Sequence, residues 1–101
     1  MTTDVTDNPS ASRFEMTIDG ELVGYLEYHE KDGTYAVPHA QVLPQHGGRG
    51  HGSELVVRSL QTMRERGGSV LPYCGFVRKV VRDHPELADL VPESERATFG
   101  V

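Results

Sequence analysis

The chain has 101 residues, of which 37% are hydrophobic and 25% charged, the make-up of one ordinary globular domain, and it is too short for a two-domain enzyme. Its formal charge of −5 argues against nucleic acid as the main partner, because affinity for phosphate backbones comes from clustered Lys and Arg; an acidic surface favours basic partners such as amines or lysine side chains. No apolar run reaches the roughly 20 residues needed to cross a bilayer, Met1-Thr2-Thr3-Asp4 lacks the regions of a signal peptide, and the lone Cys74 precludes an internal disulfide, so a cytoplasmic protein with no membrane partner is expected.

Taken in chain order, residues 1–12 are rich in Thr, Asp, Ser, Asn and Pro and read as a disordered tail. Arg13 to Ile18 alternates, with Phe14, Met16 and Ile18 on one face of a half-buried strand. Asp19-Gly20 supplies a hairpin turn, and Glu21 to Glu30 follows as an antiparallel strand with Leu22, Gly24, Leu26 and Tyr28 on one side. After the turn Lys31-Asp32-Gly33, a third strand runs from Thr34 to Leu43 with Pro38 in its middle. Proline cannot donate to a ladder, so pairing there must be interrupted by an edge, a bulge or a parting of strands.

Four of the 11 glycines then fall between Pro44 and Ser53. Bare amides entering a helix suit an anion, since no Cβ obstructs the N–H groups and the helix dipole favours negative charge. A flexible turn would show the same composition. The P-loop pattern fails for want of a Gly-Lys-Ser/Thr ending, and the dinucleotide fingerprint fails at its third glycine. Leu55, Val56, Leu60 and Met63 recur at helical spacing over Glu54 to Arg66, and Gly67-Gly68 ends that helix. Ser69 to Tyr73 is a short apolar strand reached by a crossover, hence parallel to the third. Gly75 to Arg82 reads as a second helix, Pro85 breaks it, Leu87 to Val91 adds a turn, and 92–101 is left as a C-terminal tail.

Together these residues resemble a known family. Val42-Leu43-Pro44 with Gly48-Arg49-Gly50-His51-Gly52-Ser53 resembles the acetyl-coenzyme A loop of the GNAT acetyltransferase superfamily, and Pro72-Tyr73-Cys74-Gly75-Phe76-Val77 with His84-Pro85-Glu86-Leu87 resembles its small members of about one hundred residues. The resemblance places Gly47 where a Gln or Arg is usual and His51 where an aliphatic residue is usual. It implies an α+β domain over 13–91: a mostly antiparallel mixed sheet with one splayed parallel pair, flanked by helices. It further implies that acetyl-CoA is the cosubstrate, held by Gln41, Val42, Gly47, Gly48, Arg49, Gly50, His51, Gly52, Ser53, Phe76 and Lys79.

Acetyl transfer to an amine needs a base, an oxyanion donor and a proton for the leaving thiolate. Cys74, at the start of a helix whose dipole favours a thiolate, and His39, on the cofactor strand, are the catalytic candidates; each also has a purely structural reading. Tyr73 is a further candidate proton donor or a core aromatic. Arg78, Lys79 and Arg82 are either coenzyme partners or a solvated face. The histidines have no metal-ligand spacing, so no metal is expected. The expected function is an N-acetyltransferase acting on an amine such as a protein lysine. The alternative is a non-catalytic interaction module that keeps the fold, with or without coenzyme.

Overall fold

Two Asp-Gly turns set the register of the sheet. Asp19 and Gly20 have φ of 50° and 84°, and Asp32 and Gly33 have φ of 52° and 82°, the doubly left-handed geometry whose twist matches antiparallel strands. The computed structural model describes residues 2–101. Among these, five strands run in the order β1 (Thr3–Asn8), β2 (Arg13–Ile18), β3 (Glu21–Lys31), β4 (Thr34–Val42) and β5 (Ser69–Leu71), with helices α1 (His51–Glu65), α2 (Gly75–Asp83) and α3 (Glu93–Phe99). The first three pairings are antiparallel and β4–β5 is parallel, an α+β architecture with one parallel pair at the end of a mixed sheet.

The N-terminal stretch differs from the expected tail. Thr3 to Asn8 pairs along its whole length with β2, and Pro9–Ala11 forms a 3₁₀ turn. Hydrophobicity could not announce this strand, because Val5 is its one large apolar residue. Its anchor is polar: Asp7 accepts from the Tyr28 hydroxyl at 2.7 Å and from Arg66 at 2.9 Å. Arg66 in turn lies 5.7 Å from the Phe14 ring centre. The C-terminal stretch is also ordered. α3 turns Phe99 into the core at 7% exposure, and the Phe99 ring meets Tyr73 edge-on at 5.2 Å.

Two bulges decide which side chains face which way. The first falls between Met16 and Thr17, where Val23 is the extra residue on β3. Val23 is fully buried while Leu22 is only half-buried, so Leu22 does not share the core face with Leu26 and Tyr28 as alternation predicts. The second falls where Glu27↔His39 gives way to His29↔Ala36, leaving Val37 and Pro38 opposite Tyr28. Tyr35 and Val37 point into the core, and the extra residue reverses the alternation so that His39 and Gln41 point out of it. The expected interruption at Pro38 is therefore a bulge, and it coincides with a parting: β4 pairs with β5 only from Thr34 to Ala36.

α1 lies across the sheet with Leu55, Val56, Leu60 and Met63 fully buried. It starts at His51, three residues before the apolar periodicity begins, because Gly50 adopts φ 78° as its N-cap. It ends as expected at Gly67-Gly68. Gly67 at φ 74° bonds Arg64 O at 2.9 Å, and Gly68 bonds Met63 O at 2.9 Å, satisfying two terminal carbonyls. After α2, residues Pro85–Leu90 form a 3₁₀ segment in place of the expected turn of α-helix over Leu87 to Val91.

Candidate coenzyme and acyl-transfer site

The end of β4, the glycine run and the first turns of α1 and α2 converge on one side of the splay. Pro44–His46 makes a 3₁₀ turn, pinned to the β2–β3 hairpin by His46 Nε2 at 2.7 Å from Glu21 Oε2 and by Leu43 N–H bonding Val23 O at 2.9 Å. Gly48 and Gly50 take φ of 76° and 78° and lead the chain into α1. The first N–H groups of a helix have no intrahelical acceptor, and no side chain caps this one. The start of α1 thus offers backbone donors with the positive end of the dipole behind them.

A cavity of about 200 Å³, lined by Ala40, Gln41, Val42, Gly52, Leu55 and Phe76, adjoins these donors. A second hollow of about 260 Å³ continues it along Gly47, Gly48, Gly50, His51 and Ser53. At Gly52 a Cβ would lie 2.9 Å from Phe76 Cζ, so any larger residue would have to push the exposed Phe76 ring aside. Phe76 itself remains 41% exposed although aromatic, forming the outer wall. The groove has the shape and chemistry for a long ligand with an anionic middle: amides for the anion, an apolar channel for an arm, and a strand edge without a strand partner beyond Val37.

Of the residues singled out in the sequence, Gln41, Val42, Gly47, Gly48, Gly50, His51, Gly52, Ser53 and Phe76 line this groove. Arg49 lies on the other flank, in a hollow of about 390 Å³ shared with Ile18, Asp19, Glu21, His46 and His51. Lys79 is paired with Asp83 at 2.8 Å, an i,i+4 contact on the exposed face of α2. Arg78 is committed to the Pro72 and Tyr73 carbonyls at 3.2 Å and 2.7 Å, which fixes the loop into α2.

Cys74 is the N-cap of α2 and half-exposed, and its amide bonds Val37 O at 3.0 Å. His39 follows Pro38 on the far side of the bulge and is exposed. Both therefore flank the apex of the splay. Tyr73 is 55% exposed, so it is not the core aromatic that one reading allowed. Three participants were not legible beforehand. Glu21 holds the loop, Leu55 floors the cavity, and Tyr25 donates to Gln41 at 3.0 Å. A strand pattern identifies such residues only as surface or core, because their partners are more than a dozen positions away.

A family model for GCN5-related N-acetyl-transferases matches residues 13–90, and the chain belongs to that family. Among solved structures it is similar to a GNAT family acetyltransferase from Brucella melitensis in complex with acetyl-CoA, at 23% identity and TM-score 0.54, over 70% of this chain and 53% of that one. It is also similar to a ribosomal-protein-alanine N-acetyltransferase from Brucella melitensis biovar Abortus 2308, at 22% identity and TM-score 0.54, over 71% and 59%. These likenesses are of fold, and the matched region spans a little over half the length of each of those chains. No curated protein matches the sequence. Among the described residues no helix is long and apolar enough to cross a membrane, and no cluster of His, Cys, Asp and Glu suits a metal ion.

Proposed function

We propose that the chain transfers an acetyl group from acetyl-CoA to an amine on a macromolecular acceptor, such as a protein lysine, in the cytoplasm. The observation that carries this reading is the uncapped start of α1 beside the cavity walled by Gly52 and Phe76. The amides of Gly48 to Ser53 suit the coenzyme's pyrophosphate, Gln41 and Val42 its pantetheine arm, and Phe76 the wall against it. Bound there, the thioester supplies an acyl carbon that an amine nitrogen attacks as the thiol leaves. His39 takes the amine proton, and Cys74 lines the approach at the start of α2. The charge of −5 favours a basic acceptor, and only two residues separate β2 from β3, so no inserted segment walls off a small-molecule pocket.

Calorimetric titration with coenzyme A should show one site, and Gly52→Val, which fills the groove, should weaken it by about tenfold or more. Thiol release should then appear with basic peptides and not with small polyamines, and fall in His39→Ala. Absence of coenzyme binding would overturn the proposal. Binding without thiol release from any amine would leave the non-catalytic module.

A further inference from the structure

The outward face of the sheet carries a relay of side chains that ends on His39, the base of the acetyl-transfer reading, and whose effect on that ring the reading has not used. Arg13 Nε bonds Glu15 at 2.7 Å, and its guanidinium carbon lies 4.6 Å from the centre of the Tyr25 ring. The Tyr25 hydroxyl donates to Gln41 Oε1 at 3.0 Å. His39 Nε2 approaches the same oxygen at 3.2 Å. The Tyr25 and His39 rings also meet, at 6.0 Å between centres and 58° between planes. These residues share a face only because the bulge at Val37-Pro38 reverses β4; without it His39 and Gln41 would point with Val37 into the core.

An amide oxygen accepts and never donates. With the Tyr25 proton already on Oε1, an imidazole nitrogen held 3.2 Å from that oxygen must bring a proton of its own. A neutral ring protonated on Nε2 has its free electron pair on Nδ1. We infer that Gln41 is a positioning residue for His39. It holds the ring in the Nε2–H form and presents Nδ1 as the base. The inference rests on the proposal that His39 serves acetyl transfer. As the amine nitrogen bonds to the acyl carbon the C–S bond breaks with its pair leaving on the coenzyme sulfur as thiolate, while the N–H pair stays on nitrogen and the proton passes to Nδ1. The resulting imidazolium keeps its Nε2–H on Gln41. The charged and titratable groups facing the ring are Glu27, directly opposite on β3, Arg13, next to Glu27 on β2, and Tyr25.

The test joins a spectrum to kinetics. Long-range proton–nitrogen spectra of nitrogen-15-labelled protein above the imidazole titration range, assigned with His39→Ala, should show at His39 the Nε2 and Nδ1 shifts and cross-peak pattern of an Nε2–H ring. Gln41→Met should leave His39 a mixture of the two neutral ring forms and lower kcat roughly tenfold or more, beyond any change in KM for acetyl-CoA through the groove that Gln41 lines. Gln41→Glu, which still accepts at the same place, should recover kcat to within about threefold. A ring protonated on Nδ1, the outcome if the amide presents its NH₂ to both neighbours, overturns the inference. So does a Gln41→Met variant with full kcat while His39→Ala is inactive. A fully active His39→Ala instead removes the base assignment on which the inference rests, and so distinguishes the two failures.

Discussion

Ser59 shows how a single side chain can work against the core it sits in. It lies on the buried face of α1 among Leu55, Val56, Leu60 and Met63, with 0% exposure, and its hydroxyl has no hydrogen-bond partner among the described residues. Burying a hydroxyl without a partner costs on the order of 1–3 kcal/mol, and serine is also a poorer helix former than alanine. Ser59→Ala should therefore stabilise the protein by about 1 kcal/mol, read as a higher urea midpoint with an unchanged slope. A lower midpoint would mean that the hydroxyl does find a partner in solution.

At the scale of elements, β1 depends on one ionic centre more than on apolar burial. Asp7, 13% exposed at its side chain, is held by Arg66 from the end of α1 and by Tyr28 from β3. Asp7→Ala leaves a guanidinium and a buried phenol without their acceptor and should cost about 2–3 kcal/mol in urea denaturation. The same centre sets a pH limit. Burial, then the bond to Asp7 and its charge, push the Tyr28 phenol up to about 12 from 10.0. The folded state therefore binds the phenolic proton more tightly than the unfolded chain. Its contribution is complete below about pH 10 and is lost as pH rises from about 10 to about 12. Urea midpoints across that window should fall less steeply in Tyr28→Phe.

This centre also shows why the elements at the ends of the chain leave so little trace in the sequence while those in its middle are legible. The hairpin turns, the Pro38 interruption, the core face of α1 and the crossover to β5 each leave a local mark: an Asp-Gly pair, a missing donor, a 3.6-residue period, a glycine stop. β1 and α3 leave almost none. One is held through Arg66, 59 positions from Asp7, and the other through Phe99 against Tyr73. The glycine run was legible because Gly48 and Gly50 stand where the turn into α1 needs positive φ. The face on which His39 lies was not, because it depends on a bulge opposite Tyr28 that composition alone does not locate.

Across the whole molecule, the proposed groove is a joint between α1, α2 and the end of β4, so a ligand seated there draws on all three. Coenzyme A at 100 times its dissociation constant should add about 2.7 kcal/mol to stability. For a domain of this size that raises Tm by about 10 °C or more, measurable by calorimetry or dye-free fluorescence. An unmoved Tm at saturating coenzyme would count against the groove as its binding place.

The parting of β4 from β5 has one more effect, which concerns the protein's company and not its ligand. From Pro38 to Val42 the backbone on that side has no strand partner among the described residues, so the sheet carries a second open margin inside the fold. Open margins recruit other strands, and proteins guard them with prolines, bulges and charge. Here the guards stand together: Pro38 withholds its N–H, the bulge skews the strand, and the molecule's net negative charge keeps copies apart. A ligand lying along β4 closes the margin, so occupancy and colloidal stability are coupled. Kept without coenzyme near its pI of about 5.4, this chain should be the first of its preparations to cloud.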